Sequence, residues 1–378
     1  MPIVTMAQIG LDGTFNFQSD AVNYWPLQAA SALADFQLVS GDIIVAMTDV
    51  TPQKNLIGRM VQVTEEGPLL LNQRVGLLRV SADRIDPYFL RAISNSSGWR
   101  TYARAVASLG VQANISTTDI LSGKLALPSL HEQRAIATAL SDVDALIAGL
   151  EKLIVKKRDL KQAAMQQLLT GQTRLPGFSG EWEIKTLNEI SDVIDPHPSH
   201  RAPDTVPNGV TFVGIGDLDE NGNIVGKKLR LVDPAVLAEH ATRYDLKEGL
   251  IGLGRVASIG KVVSLKNGPS EYAISPTLGI IRGRDVQREF LIQSLKTEFI
   301  TEQFLKIMSG STRSSVGMEV LRLLKIFVPP SIEEQKAIAL ALADVDAELL
   351  ALESRLAKTR DLKEGMMQEL LTGRTRLV

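Results

Sequence analysis

The chain has 378 residues, of which 44% are hydrophobic, and its 41 Lys and Arg residues nearly balance 43 Asp and Glu residues. The length predicts more than one domain, and the apolar share excludes a disordered chain. The lack of cysteine excludes disulfides and thiolate metal sites, and a net charge of −2 excludes DNA binding through bulk positive charge. No apolar run approaches the ~20 residues of a membrane span and no signal peptide is visible, so we expect a cytoplasmic protein without a membrane partner.

Two kinds of segment alternate along the chain. Short runs of Val, Ile and Leu broken by Gly, Pro, Asn and Asp are typical of strands and turns, whereas other stretches have helical periodicity. We therefore predict a lobe over 1–127, a central helix over 128–175, a second lobe over 176–327 and a C-terminal helix over 328–378.

The two helical segments are copies of one sequence. Residues 128–175 and 330–377 are identical at 29 of 48 positions, without a gap and at an offset of 202 residues. Each copy predicts one long helix with a Ser N-cap, a Glu at capping-box spacing and a C-terminal Gly. These residues are Ser129, Glu132 and Gly171 in the first copy and Ser331, Glu334 and Gly373 in the second.

Apolar residues recur along both helices in alternating steps of four and three, which predicts that the helices pair. The two seams consist of Ile136, Leu140, Val143, Ile147, Leu150 and Ile154, and of Ile338, Leu342, Val345, Leu349, Leu352 and Leu356. Rods of this length would measure roughly 60 Å and could act as a rigid spacer. We expect the seams to rotate or loosen where polar residues enter them, at Lys157, Lys161, Thr359 and Lys363.

The two lobes are weakly related. Residues 58–61 match 260–263, while the stretch before this match is longer in the first lobe. Residues 2–4 match a point near 211–213, so the first lobe lacks roughly the opening 30 residues that the second lobe has. One frame with two different sets of loops suggests two different recognition surfaces.

Motifs for catalysis are not found. The stretch 254–262 resembles a phosphate loop, but its glycines are one residue too far apart and Val262 replaces the required Ser or Thr. No Gly-x-Ser-x-Gly elbow is present, and His197 and His200 have no third metal ligand at usable spacing. The sequence therefore predicts a non-catalytic binding module without a cofactor.

The helix copies begin Pro-Ser-Leu-His-Glu-Gln-Arg-Ala-Ile-Ala and Pro-Ser-Ile-Glu-Glu-Gln-Lys-Ala-Ile-Ala, and they end Leu-Leu-Thr-Gly-Gln-Thr-Arg-Leu and Leu-Leu-Thr-Gly-Arg-Thr-Arg-Leu. Together with the alternating lobes, this pattern resembles the specificity (S) subunit of type I restriction-modification systems. The resemblance implies an α+β fold. Two mixed α/β target recognition lobes would alternate with two long helices that pair as an antiparallel coiled coil, in an internal pseudo-two-fold repeat.

The resemblance also implies a function. Each lobe would read one half of a split target in double-stranded DNA, and the helices would fix the gap between the halves. The helices would also dock two methyltransferase (modification) subunits, which bind S-adenosylmethionine and methylate adenine. A restriction subunit, an ATP-dependent nuclease and translocase, can join the complex. The S subunit itself carries no catalytic residue.

Candidate contact residues follow from side-chain chemistry, because Arg suits guanine and phosphate whereas Asn and Gln suit adenine. In the first lobe the DNA-binding candidates are Lys54, Asn55, Gln73, Arg74, Gln112 and Asn114, and in the second lobe they are Arg255, Ser258, Lys261, Thr277, Thr312 and Arg313. For partner docking we expect exposed residues on the helices, namely Gln133, Arg134, Arg158, Gln335, Lys336 and Arg360.

Three other interpretations stay open at this point. The chain could be a helical scaffold that binds no DNA, or an enzyme with an unfamiliar site. It could also be an orphan recognition subunit that serves a methyltransferase without a nuclease.

Overall fold

The computed structural model describes residues 1–108, 112–197, 202–226, 228–265, 272–309 and 315–377. The chain forms two compact units. The first contains residues 1–153 and 352–378, and the second contains residues 154–351. Each unit thus combines one lobe with a part of both long helices.

The first unit begins with short strands and 3-10 turns, and the helices follow. Its strands are β1 (Ile3–Val4), β2 (Gln37–Leu38), β3 (Ile43–Ala46), β4 (Thr48–Asp49), β5 (Met60–Gln62), β6 (Leu69–Leu71), β7 (Val75–Leu78) and β8 (Ala113–Asn114). Its lobe helices are α1 (Pro87–Asn95), α2 (Ser97–Val106) and α3 (Thr117–Ser122). The long helix α4 (Leu130–Leu168) begins here.

In the described residues of the first lobe, the strands form three small sheets. Their strand orders are β1-β6-β2, β5-β3-β7 and β4-β8. The apolar residues of β3 are buried on both faces of its sheet: Ile43 packs in a core with α1, α2 and the long helices, and Ile44 packs in a second core with β1 and β6. This division follows from strand geometry, because successive side chains point to opposite faces.

The second unit repeats this plan with additional elements at its start. Its strands are β9 (Glu183–Thr186), β10 (Ser191–Ile194), β11 (Val210–Val213), β12 (Arg230–Val232), β13 (Ile251–Gly254), β14 (Val262–Ser264), β15 (Tyr272–Ile274), β16 (Leu278–Gly283) and β17 (Lys325–Val328). Its helices are α5 (Leu187–Ile190), α6 (Pro234–Ala241), α7 (Arg288–Leu295), α8 (Glu298–Ser309) and α9 (Met318–Arg322), and the long helix α10 (Ile332–Leu370) follows.

The sheets of the second lobe have the orders β10-β16-β13-β14, β12-β11-β15 and β17-β9. Strand β11 lies parallel to β15, as β1 lies parallel to β6 in the first lobe. The antiparallel set β14-β13-β16 likewise corresponds to β5-β3-β7. The match of residues 2–4 to 211–213 is therefore confirmed. In the described part of the first unit, nothing corresponds to β9, α5 and β10.

Within the first unit, the long helices run antiparallel. Glu132 bonds to Arg376, and the Asp144 carboxylate lies 2.6 Å from the Lys363 ammonium group. Residues further along α4 therefore pair with residues nearer the start of α10. Ile136, Leu140 and Leu150 are buried, as the heptad pattern predicts. At Lys363, where a polar residue enters the seam, the ammonium group forms an ion pair across the two helices.

Within the second unit, the same pairing occurs between other residues. Lys161 lies 2.5 Å from Asp346, Lys157 also pairs with Glu348, and Arg174 bonds to Glu334. Here too, the lysines that enter the seam form ion pairs across the two helices. The antiparallel pairing that the resemblance implied is thus present in each unit.

The helix ends follow the predicted capping only in part. The Ser129 and Ser331 hydroxyl oxygens accept the N–H groups of Glu132 and Glu334, at 3.3 and 3.4 Å, so both N-caps are confirmed. The capping-box role of the two glutamates is wrong. Their carboxylates accept arginine donors from the opposite helix end, because a guanidinium is a stronger partner than a backbone N–H.

The C-terminal glycines have the predicted conformation. Gly171 and Gly373 have φ of +75° and +73°, the left-handed region in which glycine commonly ends a helix. Among the described residues, no helix combines the length and the apolar character that a membrane crossing requires.

Candidate nucleic-acid interface

Backbone hydrogen bonds of Met47 bring together the loops that carry the first-lobe candidates. The Met47 N–H donates to the carbonyl of Arg74 at 3.1 Å, and the Met47 carbonyl accepts the N–H of Ile115 at 3.0 Å. Strand β4, which follows Met47, pairs with β8, so that Thr48 faces Asn114. Three loops distant in sequence therefore meet around 47–57, and each of them carries predicted contact residues.

The second lobe builds the same arrangement around Arg255. The Arg255 N–H donates to the carbonyl of Thr277 at 2.9 Å, and the Arg255 carbonyl accepts the N–H of Val316 at 2.8 Å. A bridge between Val256 and Ser315 takes the place of the β4–β8 pair. We name this pair of backbone hydrogen bonds the frame. It is common to both lobes, whereas the loops that it holds differ.

A cluster of basic side chains lies on the first-lobe loop. The Lys54 ammonium group is 3.4 and 3.3 Å from the carbonyls of Arg104 and Ala107, which end α2. The Asn55 carboxamide oxygen accepts from the Arg104 guanidinium at 3.0 Å, and the Asn55 carbonyl accepts from Arg100 at 2.9 Å. We name Lys54, Arg59, Arg100 and Arg104 the first-lobe basic cluster.

The cluster has two acidic neighbours, Asp12 beside Arg59 and Asp49 beside Arg100, but neither forms a close ion pair with it. Among the described residues, no carboxylate lies within 4 Å of any of the four cations. Burial, followed by repulsion from Arg59 and Arg104, lowers the pKa of Arg100 to about 10. Such a site attracts an anion. Arg100 and Arg104 were missed in the sequence because α2 lies about fifty residues beyond the loop.

The other polar candidates of the first lobe differ in how exposed they are. Gln73 and Arg74 are exposed, at the turn before β7. Asn114 is also exposed, and its amide donates to the carbonyl of Gln112 at 2.9 Å. The Gln112 amide nitrogen is buried without a hydrogen-bond partner in the described residues.

Two second-lobe candidates, Arg255 and Lys261, make hydrogen bonds within their own lobe. Arg255 is only 9% exposed, and its Nε donates to the carbonyl of Val316 at 2.9 Å. The Lys261 ammonium donates to the carbonyls of Ile215 and Leu218, at 3.2 and 2.6 Å. Both cations thus bond to carbonyls of their own lobe, and their contact with DNA stays a prediction.

The remaining second-lobe candidates differ in position. The Thr277 hydroxyl accepts the N–H of Ile215 at 3.1 Å and is part of the frame. Ser258 is partly exposed in the tight turn between β13 and β14. Thr312 and Arg313 lie outside the described residues.

Both loops contain a strained backbone position. Lys54 and Ala257 have φ of +50° and +61°, and they are the non-glycine residues with positive φ among those described. Residues with a β-carbon avoid this region, at a cost of ~1 kcal/mol or more. Such strain, found in the corresponding loops of both lobes, is typical of functional sites.

The docking candidates on the long helices separate into two groups. Arg134, Arg158, Lys336 and Arg360 are exposed, and Arg360 bonds to Glu151 at 2.6 Å. The expectation that Gln133 and Gln335 are exposed is wrong, since both are 1% exposed. Their carboxamides bond to the lobe of their own unit instead.

Two histidines of the second lobe, His197 and His240, lie side by side in its interior. His197 Nδ1 lies 3.1 Å from His240 Nε2, and His240 Nδ1 lies 3.0 Å from the Tyr244 hydroxyl. Among the described residues, no group of three or more His, Asp or Glu side chains could hold a metal ion. His200 lies outside those residues.

Comparison with known proteins places these features in one family. A family model described as the type I restriction modification DNA specificity domain matches residues 27–156 and 179–359. The chain is 22% identical to the type I restriction enzyme EcoBI specificity subunit of Escherichia coli, over 81% of this chain and 69% of that protein. It is 26% identical to the MjaVIII specificity subunit of Methanocaldococcus jannaschii, over 67% of this chain and 62% of that protein.

Solved structures agree in fold. The HsdS subunit from Thermoanaerobacter tengcongensis matches with a TM-score of 0.51 and 19% identity, over 99% of this chain and 90% of that one. The type I S subunit from M. genitalium matches with a TM-score of 0.54 and 13% identity, over 97% and 91%. The family supplies DNA recognition, and catalysis resides in other subunits. The chain therefore belongs to the type I restriction-modification DNA specificity family.

Proposed function

We propose that this chain reads a split target in double-stranded DNA, with one half-site per lobe, for a type I restriction-modification complex. The observation that carries the proposal is the common frame. Met47 and Arg255 make the same pair of backbone hydrogen bonds in the two lobes, yet they hold loops of different length and chemistry. A backbone arrangement that both lobes share, with a different loop in each lobe, suits two half-sites of different sequence.

In the first lobe, phosphate contacts and base contacts come from different residues. The first-lobe basic cluster positions the backbone through Lys54 and Arg104, because unpaired cations attract phosphate regardless of sequence. Asn55, Gln73, Gln112 and Asn114 supply carboxamides, which can bond bidentately to adenine, and Arg74 suits guanine.

In the second lobe, Arg255, Lys261 and Thr277 fix the shape of the loop, and Ser258 is available for contact with DNA. Thr312 and Arg313 remain proposed contacts. The paired helices set the distance between half-sites, since DNA repeats every ~34 Å and a rigid rod selects sites on one face.

The helices also provide two similar docking surfaces for methyltransferase subunits. Arg134 and Lys336 occupy equivalent positions in the repeat, and both are exposed. Arg158 and Arg360 also occupy equivalent positions and are exposed. We infer two modification subunits per chain, with which ATP-dependent restriction subunits can assemble. Because its substrate is chromosomal DNA, the complex would act in the cytoplasm.

The test is methylome sequencing of a host that carries this chain with its methyltransferase, against a deletion of this chain. Loss of one two-part adenine-methylation motif would support the proposal and would give both half-sites. Restoring the chain with Arg104→Gln and Asn55→Ala should impair methylation of the motif. An unchanged methylome would contradict the proposal and would favour a scaffold role.

A further inference from the structure

The first lobe carries a loop that is longer than its counterpart in the second lobe. Ten residues separate Met47 from Gly58, whereas four separate Arg255 from Gly260. Met47 and Arg255 make the frame bonds of their lobes, and the two glycines have φ of +70° and +81°. The lobes therefore correspond on either side of this loop, and the additional residues are confined to it. We name residues 50–56 the inserted loop.

A buried carboxylate holds the two ends of the inserted loop together. Asp49 is 3% exposed; its Oδ1 accepts the N–H of Thr51 at 2.7 Å, and its Oδ2 accepts the N–H of Leu56 at 2.6 Å. Burial alone would raise the pKa of Asp49, but these hydrogen bonds outweigh it and lower the pKa below its ordinary value. The carboxylate is therefore ionised at neutral pH.

A buried guanidinium supports the same loop through its carbonyl groups. Arg100 is 5% exposed and donates to the carbonyls of Lys54 and Asn55, at 3.0 and 2.9 Å, and to that of Ile57. One anion thus binds N–H groups of the loop and one cation binds its carbonyls. The shape of the loop is fixed from within the lobe, which lowers the entropy cost of binding a ligand.

The apex of the inserted loop is a tight turn that exposes one carboxamide. The Lys54 N–H donates to the carbonyl of Thr51 at 3.1 Å, and Pro52 occupies the second position of the turn, which its fixed φ suits. The Thr51 hydroxyl bonds to Asp49, and the Lys54 ammonium group lies beside carbonyls of α2. Gln53 is exposed, and its side chain has no hydrogen-bond partner among the described residues.

The side chains around the apex suit contact with DNA. Arg100 and Arg104 of the first-lobe basic cluster bond to Asn55 at the base of the loop, and such cations attract phosphate. Val50 is 69% exposed and offers an apolar contact for the methyl group of thymine. A carboxamide is the side-chain group that pairs with adenine in the major groove. The inserted loop and the cations behind it thus suit an A·T base pair beside a phosphate.

We propose that Gln53 reads an adenine of the first half-site, and that Asp49 is the positioning residue that holds the inserted loop in the conformation for this contact. The inference rests on the proposed function, which makes DNA the ligand of this lobe. The Gln53 carboxamide oxygen accepts a hydrogen bond from N6 of adenine, and its amide nitrogen donates to N7. Loss of the Asp49 carboxylate should therefore act through Gln53.

The test measures DNA binding by the full chain assembled with its methyltransferase subunits. The probes are a duplex with the two-part motif from methylome sequencing and duplexes in which one base pair of the first half-site is replaced. Gln53→Ala should reduce the discrimination at one adenine position about tenfold and leave the second half-site unchanged. Gln53→Glu keeps the shape of the side chain but cannot donate to N7, so it should lose the same preference.

The matched control is Gln18→Ala, which alters another exposed glutamine of the first lobe. It should change the discrimination at every position by less than about twofold. Gln53 is exposed, so its variants test the contact even where Asp49→Asn destabilises the lobe.

A double variant separates positioning from general support of the fold. Asp49→Asn should reduce the discrimination at the same adenine, and Asp49→Asn combined with Gln53→Ala should reduce it no further than Gln53→Ala alone. If Asp49→Asn weakens binding equally at every base position, the positioning role is overturned.

The unaltered chain distinguishes failure of this inference from failure of the proposed function. Binding that prefers the motif, and that Gln53→Ala leaves unchanged at every position, would overturn the inference alone. Equal binding of the motif and of an unrelated duplex by the complex with the unaltered chain would contradict the proposed function, and this inference with it.

Discussion

Gln133 and Gln335, 202 residues apart in the repeat, make the same buried contact, each in its own unit. The Gln133 carboxamide oxygen accepts the N–H of Asp86 at 2.9 Å, and the Gln335 oxygen accepts the N–H of Gln287 at 2.8 Å. Asp86 and Gln287 are the N-caps of α1 and α7. Each long helix is thus fastened to its lobe by a carboxamide that also fixes the start of a lobe helix.

Gln133→Ala should lower the free energy of unfolding of the first unit by ~1–3 kcal/mol, because it leaves buried backbone groups without partners. Arg134→Ala, an exposed neighbour, should change it by less than ~0.5 kcal/mol. Urea denaturation followed by circular dichroism measures both. Equal losses would show that the buried carboxamide has no special part.

Arg376→Gln should lower the urea midpoint for unfolding of the first unit, since it removes charged hydrogen bonds from the Glu132 carboxylate. These bonds hold the pKa of Glu132 below its usual value. The destabilisation caused by Arg376→Gln should therefore be largest above pH ~4.5, and it should decrease as the pH falls below that value. Arg374→Gln alters an exposed cation 3.8 Å from Glu369 and is the control, expected to have no measurable effect.

Arg104→Gln should weaken DNA binding by the assembled methyltransferase complex and reduce the salt dependence of log Kd by about one unit, because one phosphate contact is lost. The control is Lys152→Gln, which removes an exposed cation from α4. Electrophoretic mobility shifts at several salt concentrations measure both slopes. If the two slopes are equal, the first-lobe basic cluster does not contact DNA.

The buried histidine pair predicts a pH dependence of the second unit. Burial, together with the neighbouring His197, lowers the pKa of His240 from 6.5 to about 4. The unfolded chain binds a proton at a higher pH than the folded chain, so stability should fall by up to ~3 kcal/mol between pH 6.5 and 4.

His240→Gln should flatten this slope in thermal melts, whatever its effect on stability at pH 7. His131 is exposed on α4, and its replacement by Gln should leave the slope unchanged. A slope that survives in the His240 variant would assign the titration to other groups.

The sequence predicted the long helices well because their information is local. Caps, heptads and the terminal glycines lie within a few turns of each other, and duplication doubled the signal. The capping-box prediction for Glu132 failed because its real partner, Arg376, is 244 residues away.

The contact residues were harder to predict for the same reason. Lys261 has the chemistry of a phosphate ligand, but its ammonium group serves carbonyls of residues 215 and 218, which only tertiary folding brings near. Arg104 has no local motif and becomes a candidate only when α2 packs beside Asn55.

The composition of the two units has a consequence for synthesis on the ribosome. The second unit is one continuous stretch, 154–351, and can close as soon as it has been made. The first lobe is translated earlier, yet its unit includes residues 352–378. Ile136 and Leu140 therefore lack their partner helix until residues 352–378 have been translated. The lobe that is synthesised first is thus the last to complete its fold. A nascent chain stalled near residue 351 should expose the apolar face of α4 to chaperones, and a nonsense mutation there should damage the first half-site more than the second.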